Sequence, residues 1–181
     1  MVVILNGTSS AGKTSIAHAL QRRSARPFLH ASLDTFTDMF RWDAITDAET
    51  RRRCHTIGVA NFHRTLPLLT AGEFPVVVDH VFKRAEWFDD CRAALAAKPQ
   101  LWVGVKCPLG ILRIREAARK DRRIDLAAYQ FGRVHEHMRY DLEVDTSQMS
   151  ADDCAEQILR RIGHTSPEGL RPSFGNVTTP A

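Results

Sequence analysis

Short, continuously apolar runs alternate with longer stretches in which apolar residues recur at three- and four-residue spacing, and the alternation repeats about five times along the chain. The first run, Val2 to Asn6, has the unbroken apolar character of a parallel strand covered on both faces. Behind it, Lys13 to about Arg23 places Ile16, Ala17 and Leu20 at helical spacing, and Arg22, Arg23, Arg26 and Pro27 mark the end of that helix. Further strands are expected over Phe28 to Leu33, Phe74 to His80, Leu101 to Lys106 and Tyr140 to Asp145; the second leads onto Asp34 and the third carries Asp79 near its end. Between them, Asp34 to Phe40 reads as a loop or short helix. Thr46 to about Ala71 reads as a long helix carrying Ile57, Val59, Phe62, Leu66 and Leu69, which Pro67 kinks or divides and Gly72 ends. Three more helices are expected near 84–97, 108–120 and 126–138, the second opened by Cys107-Pro108. A closing helix over 150–162 has Ser150 as N-cap, with Asp152 and Asp153 in its first turn.

This order implies an α/β fold: a five-stranded parallel sheet with helices on both faces, joined by right-handed crossovers. Beyond Gly163 the composition shifts to Thr, Ser, Pro, Gly and Asn, so residues 1–163 read as a single domain and 164–181 as a disordered tail.

The net charge of +4 is small, since 25 Lys and Arg face 21 Asp and Glu, and much of the excess sits between Arg113 and Arg123. Such a local concentration suits a polyanionic small ligand. No aromatic-interleaved basic stripe is present, so nucleic acid is not the expected partner. Cys54, Cys91, Cys107 and Cys154 form no C-x-x-C pair, which points away from a zinc site or a disulfide framework and toward reduced thiols. No apolar run approaches 18 residues, and Met1 to Leu5 is too short for a signal sequence, so a soluble, cytoplasmic protein without membrane contact is expected. Homo-oligomerisation stays open.

The chemistry starts at Gly7-Thr8-Ser9-Ser10-Ala11-Gly12-Lys13-Thr14, which fits G-x-x-x-x-G-K-[ST] and sits between the first strand and the first helix, as a phosphate-binding loop should. Gly7 and Gly12 permit the tight path that turns successive N–H groups toward a nucleotide's β-phosphate. Lys13 neutralises phosphate oxygens and Thr14 offers a hydroxyl to Mg²⁺, with the positive end of the following helix adding to the attraction. Other polar groups must decide where the phosphoryl group goes. Phosphoryl transfer needs positioning and a group that orients or deprotonates the nucleophile. Asp34, at the carboxyl end of the second strand, faces the same crevice and is the candidate base, although a helix N-cap would also explain it. Asp79 is placed to hold Mg²⁺ through water or to meet the substrate together with His80, whose ring could hydrogen-bond a substrate hydroxyl; a solvated strand-end carboxylate is the plainer reading. Arg115, Arg119, Arg122 and Arg123 lie about a turn apart and form a candidate lid over the phosphates, unless they are only a solvated face paired with Glu116 and Asp121. Phe36, Met39, Phe40, Trp42, Phe62 and Phe82 could wall an aromatic acceptor or simply fill the core. His135 and His137, two apart on a helix, would face different sides, which speaks against a metal site.

Six collinear blocks are familiar: L-N-G-T-S-S-A-G-K-T (Leu5 to Thr14), S-L-D-T (Ser32 to Thr35), V-V-D-H-V-F (Val77 to Phe82), L-W-V-G-V-K-C (Leu101 to Cys107), R-E-A-A-R-K-D-R (Arg115 to Arg122) and V-H-E-H-M-R-Y-D-L-E-V-D-T (Val134 to Thr146). Together they resemble the chloramphenicol phosphotransferase family. The resemblance implies a P-loop kinase fold with strand order 2-3-1-4-5, and ATP- and Mg²⁺-dependent phosphorylation of a small-molecule hydroxyl acceptor, in that family the antibiotic's primary hydroxyl. It implies further that Asp34 is the base and that Lys13, Arg115, Arg119 and Arg122 serve the phosphates. The chain departs from the family at Asp79-His80, where two adjacent acids are usual, and over Arg41 to Leu69, the segment expected to line the acceptor pocket. Two other readings are a P-loop kinase for a different metabolite and a nucleotide-switch regulatory protein.

Overall fold

A computed structural model of the chain describes residues 1–118, 125–136 and 138–163. Its sheet has β1 (Val2–Asn6), β2 (Leu29–Ser32), β3 (Val76–His80), β4 (Gln100–Lys106) and β5 (Leu142–Asp145), all parallel, in the order β2-β3-β1-β4-β5. In register, Asn6 stands beside His80 and Gly104, Ser32 beside Asp79, and Lys106 beside Asp145, so the carboxyl ends of the strands share one edge. The three central strands are buried almost throughout, whereas the edge strands β2 and β5 are only partly covered. That difference explains why the central three stand out as unbroken apolar runs.

Around the sheet run α1 (Lys13–Arg23), α2 (Leu33–Thr37), α3 (Ala48–Leu69), α4 (Ala85–Ala94), α5 (Leu109–Ala117), α6 (Leu126–Phe131) and α7 (Ala151–Arg161). Side chains alternate across each strand, which divides the core in two. On one face Val3, Leu5, Val103 and Val105 pack with Ile16 and Leu20 of α1 and Ile158 and Leu159 of α7. On the other, Val2, Ile4, Val76 and Val78 pack with Phe62 and Leu66 of α3 and Trp87 and Cys91 of α4. This is the P-loop kinase arrangement.

Several expected boundaries move. Pairing on the edge strand stops at Ser32, so Asp34 belongs to the first turn of α2 and does not close β2. The same geometry removes its N-cap reading, because Ser32 holds the N-cap position. Pro67 does not divide α3. It lies in the last turn, where its missing N–H costs at most one bond before the helix stops, and Thr70 ends that turn with its Oγ1 donating to the Leu66 carbonyl at 2.9 Å. The helix starts on the N-cap Asp47, whose carboxylate accepts from the Glu49 and Thr50 amides. In place of a helix over 126–138, α6 ends at Phe131, and turns carry the chain through Glu136. Ser150 and Asp153 form a reciprocal capping box at the start of α7, as the sequence suggests. No helix among the described residues is long and apolar enough to cross a membrane.

Candidate active site

The loop from Gly7 to Thr14 carries the chain from the buried end of β1 into α1. A Cβ on Gly7 would stand 2.5 Å from the Val105 carbonyl oxygen, so only glycine lets the loop pass β4 this closely. Gly12 has φ 93 and Ser10 φ 62, two left-handed residues that wind the backbone around a cavity. α1 has no side-chain N-cap, which leaves its first amides free of the partner that a helix normally supplies. The Ser10 hydroxyl is likewise buried without a hydrogen-bond partner. A cradle at the positive end of a helix, with the Ser10 hydroxyl unpaired among the described residues, suits a phosphate group.

Beneath the cradle, Lys13 Nζ donates to the Thr8 carbonyl at 3.0 Å and lies 3.7 Å from Asp79 Oδ1. Thr14 Oγ1 donates to Asp79 Oδ2 at 2.7 Å. Asp79 is only 6% exposed, which excludes the solvated strand-end reading. Burial works against its ionisation, but the Lys13 charge, with His30 and the Thr14 hydroxyl, outweighs burial and holds the carboxyl below its ordinary value. His30 Nε2 itself stays 3.8 Å from Asp79, beyond hydrogen-bond reach. A hydroxyl and a carboxylate in contact are hard oxygen donors of the kind that a Mg²⁺ ion, with water and phosphate as its other ligands, would take.

The opposite wall comes from the far side of the sheet. Arg115 on α5 donates through Nη1 to Thr146 Oγ1 (2.9 Å) and through Nη2 to the Thr146 carbonyl (2.7 Å), and Thr146 Oγ1 donates in turn to the Ala11 carbonyl (2.8 Å). The guanidinium is thereby held at the rim of the phosphate loop. Gln130 Oε1 accepts from the Ser9 amide at 2.6 Å. Asn6, at the end of β1, donates through Nδ2 to the Val134 carbonyl (2.6 Å) and the Tyr140 hydroxyl (2.7 Å), and its Oδ1 accepts from the Phe82 amide (3.0 Å). Glu116 is 3% exposed, and its carboxylate accepts from the amides of Asp125 and Ala127, which fixes α6 to α5. Asn6, Gln130, Glu116 and Thr146 escaped the sequence reading as individual site residues. Asn6, Glu116 and Thr146 lie inside the family-like blocks quoted above, whereas Gln130 lies outside them.

A cleft of about 430 Å³ joins these parts, lined by Lys13, Thr14, Asp34, Asp79, Arg115 and Thr146 among others. The structure thus brings Asp34, exposed on α2, to the same cavity as the loop and Asp79. Two residues expected to contact substrate sit in a stack of rings. His80 borders the cleft, yet its ring is 0% exposed and stacks on Phe82 at 3.8 Å, with Nε2 2.9 Å from Nε2 of His63. Burial pushes His80 well below the usual histidine range, the nearby His63 adding to the shift, and burial takes His63 down to about 4. Both rings pack in the core, while His80 also lines the cleft. Phe82 is buried in the same stack, and Phe36, half-buried, packs edge-on against Phe62 with centroids 5.2 Å apart. Arg119, Lys120, Asp121, Arg122, Arg123 and His137, together with the tail 164–181, lie outside the described residues.

Among solved structures, the chain is similar to the tunicamycin resistance protein of Deinococcus radiodurans, with a TM-score of 0.69 at 16% identity over 92% of this chain and 98% of that one. The Mycobacterium tuberculosis APS kinase in complex with AMPPNP and APS gives a TM-score of 0.64 at 17% identity, covering 90% and 96%. Among curated proteins, "Putative O-phosphotransferase Rv2636" of Mycobacterium tuberculosis is 24% identical over 87% of this chain and 80% of that protein. The family model described as chloramphenicol phosphotransferase-like protein matches residues 1–163, and the chain belongs to that family.

Proposed function

We propose that this P-loop phosphotransferase moves the γ-phosphoryl group of Mg·ATP to a hydroxyl of a small molecule, with Asp34 as the base. One observation carries the proposal: Lys13, Thr14 and Asp79 form a contiguous charged cluster under the phosphate loop, and Asp34 stands on the same cleft from a different element. Lys13 and the loop amides hold the phosphates, and Arg115 adds charge from the rim. Thr14 and Asp79, the latter through water, would hold Mg²⁺, which neutralises phosphate charge when bound. Asp34 orients the acceptor hydroxyl and takes its proton as the acceptor oxygen bonds to the γ-phosphorus. The bond from that phosphorus to the bridging oxygen breaks and ADP leaves. Arg119 and Arg122 are assigned to the same phosphates on the family resemblance, as lid residues. Chloramphenicol is the reference acceptor that the family supplies.

The test is to incubate the purified protein with Mg·ATP and a panel of alcohols beginning with chloramphenicol, and to look by mass spectrometry for a product heavier by one phosphoryl group. A product that appears with wild type and is lost with Asp34→Asn supports the assignment. Turnover unchanged by that substitution would contradict it.

A further inference from the structure

Beyond the phosphate loop, a second group of cations stands near Asp34, and the transfer reaction does not use it. The chain leaves the buried Phe82 through Lys83 and Arg84 into α4, and both side chains fold back over the same indole. Lys83 Nζ lies 5.4 Å and Arg84 Cζ 5.5 Å from the Trp87 ring centroid. His55 of α3 reaches that ring as well, with centroids 5.6 Å apart. Among the described residues no carboxylate lies within ion-pair distance of Lys83 or Arg84. The arrangement works against stability. Arg84 is the N-cap of α4 and makes no side-chain cap bond, so both cations sit at the positive end of a helix. Lys83 is half-buried, and burial followed by repulsion from Arg84 lowers its pKa. Burial, then Lys83 and Arg84, takes His55 down to about 4. Val81, two residues before Lys83, lines the same cleft as Asp34, and the charge of Asp34 acts in the opposite sense on both groups.

Two cations crowded over one ring, Lys83 half-buried and Arg84 exposed, with no described carboxylate in ion-pair contact, invite an anion. Building on the kinase reading, we propose that the acceptor carries an anionic group, a carboxylate or a phosphate, that docks on Lys83, Arg84 and His55 while its hydroxyl meets Asp34. Trp87 forms the floor of this subsite. Arg84 supplies a planar fork of donors and Lys83 a point charge, so a carboxylate or a phosphate oxygen can be held from two directions. A neutral alcohol such as chloramphenicol leaves the cluster uncompensated.

The experiment uses matched acceptors with the full chain saturated with Mg·AMPPNP for binding, or with Mg·ATP for transfer. Gluconate is set against sorbitol, shikimate against its methyl ester, and glucose 6-phosphate against glucose, with chloramphenicol in the neutral arm. The carboxylates and the sugar phosphate separate the two kinds of anion. Charged members should be favoured about tenfold or more. Lys83→Met and Arg84→Met keep an apolar stem over Trp87 and remove the charge; they should erase the preference and leave nucleotide affinity unchanged, while Lys83→Arg should keep it. Equal treatment of charged and neutral members, including no binding by either, overturns the proposal. So does a Lys83→Met effect that falls alike on every acceptor or on the nucleotide, because Lys83 would then serve the transferred phosphoryl group. Efficient transfer to chloramphenicol sinks this inference and leaves the kinase reading standing, whereas failure of wild type to bind Mg·ATP sinks both.

Discussion

The two halves of the cleft are built by different means. On the phosphate side, directional hydrogen bonds, many of them to the main chain, fix almost every group: Thr14 to Asp79, Ser9 to Gln130, Thr146 to Ala11, Arg115 to Thr146, and Asn6 to both Val134 and Phe82. On the side of β3 and α3, Phe36, Phe62, His63, His80, Phe82 and Trp87 meet face to face or edge-on, and charged side chains sit at the margin of that group. Hydrogen-bonded loops tolerate little change. Stacked rings can be exchanged and reshaped at modest cost, so one constant phosphate half can be combined with different acceptor halves.

The sharpest way to separate the halves is Asp34→Asn, which removes a base and leaves the loop intact. Transfer should fall by about 10²- to 10⁴-fold, with nucleotide affinity unchanged. Next, Lys13→Met should weaken nucleotide binding by about a hundredfold, the loss of a charge-assisted contact to phosphate. It also strands the buried Asp79 without its cation, so the melting temperature should fall in the absence of nucleotide, an effect absent from Asp34→Asn. A calorimetric titration paired with a thermal melt checks both.

A smaller effect is expected where the phosphate half leans on β4. A Cβ on Gly104 would stand 2.6 Å from the Tyr140 ring, whose hydroxyl bonds Asn6 and, at 2.7 Å, His135 Nδ1. Gly104→Ala should therefore destabilise the fold by about 1–3 kcal/mol, read by urea denaturation, and disturb the end of β1 through Asn6.

The buried histidines should in turn show themselves in pH. His55 and His63 are held near 4 by burial, and His135 also, with Lys106 assisting. Each stays neutral in the fold while its unfolded counterpart takes a proton below about pH 6.5. Stability from these groups is complete above that value and declines as pH falls toward 4, because the unfolded state then binds more protons. Asp79, with its lowered carboxyl, loses its contribution only at lower pH. Replacing the stacked pair, His63→Leu with His80→Phe, should flatten part of the slope between pH 6.5 and 4 in a pH series of thermal melts.

What could be read from the sequence divides along the same line. β1 and α1 appear at their expected residues because the phosphate loop's glycines and lysine fix both boundaries. Asp79 was recognisable as a strand-end acid. The burial of His80 and Phe82 has a reason intrinsic to strands: neighbours point to opposite faces, so once Asp79 turns toward Thr14, His80 faces the other core, and Phe82 lies on its side. Glu116 looks like an arginine partner along its own helix, and only tertiary folding brings the amides of Asp125 and Ala127 to it. The cation cluster on Trp87 joins α3 to the start of α4, a contact that no local spacing announces.

The central claim is that one cleft holds a phosphate half and a base on separate elements. Its most direct test measures Mg·ATP affinity and phosphoryl transfer side by side in wild type and Asp34→Asn, using the best acceptor from the charged and neutral panel. The account predicts retained affinity and lost transfer. Affinity and transfer falling together, or transfer surviving, would contradict it.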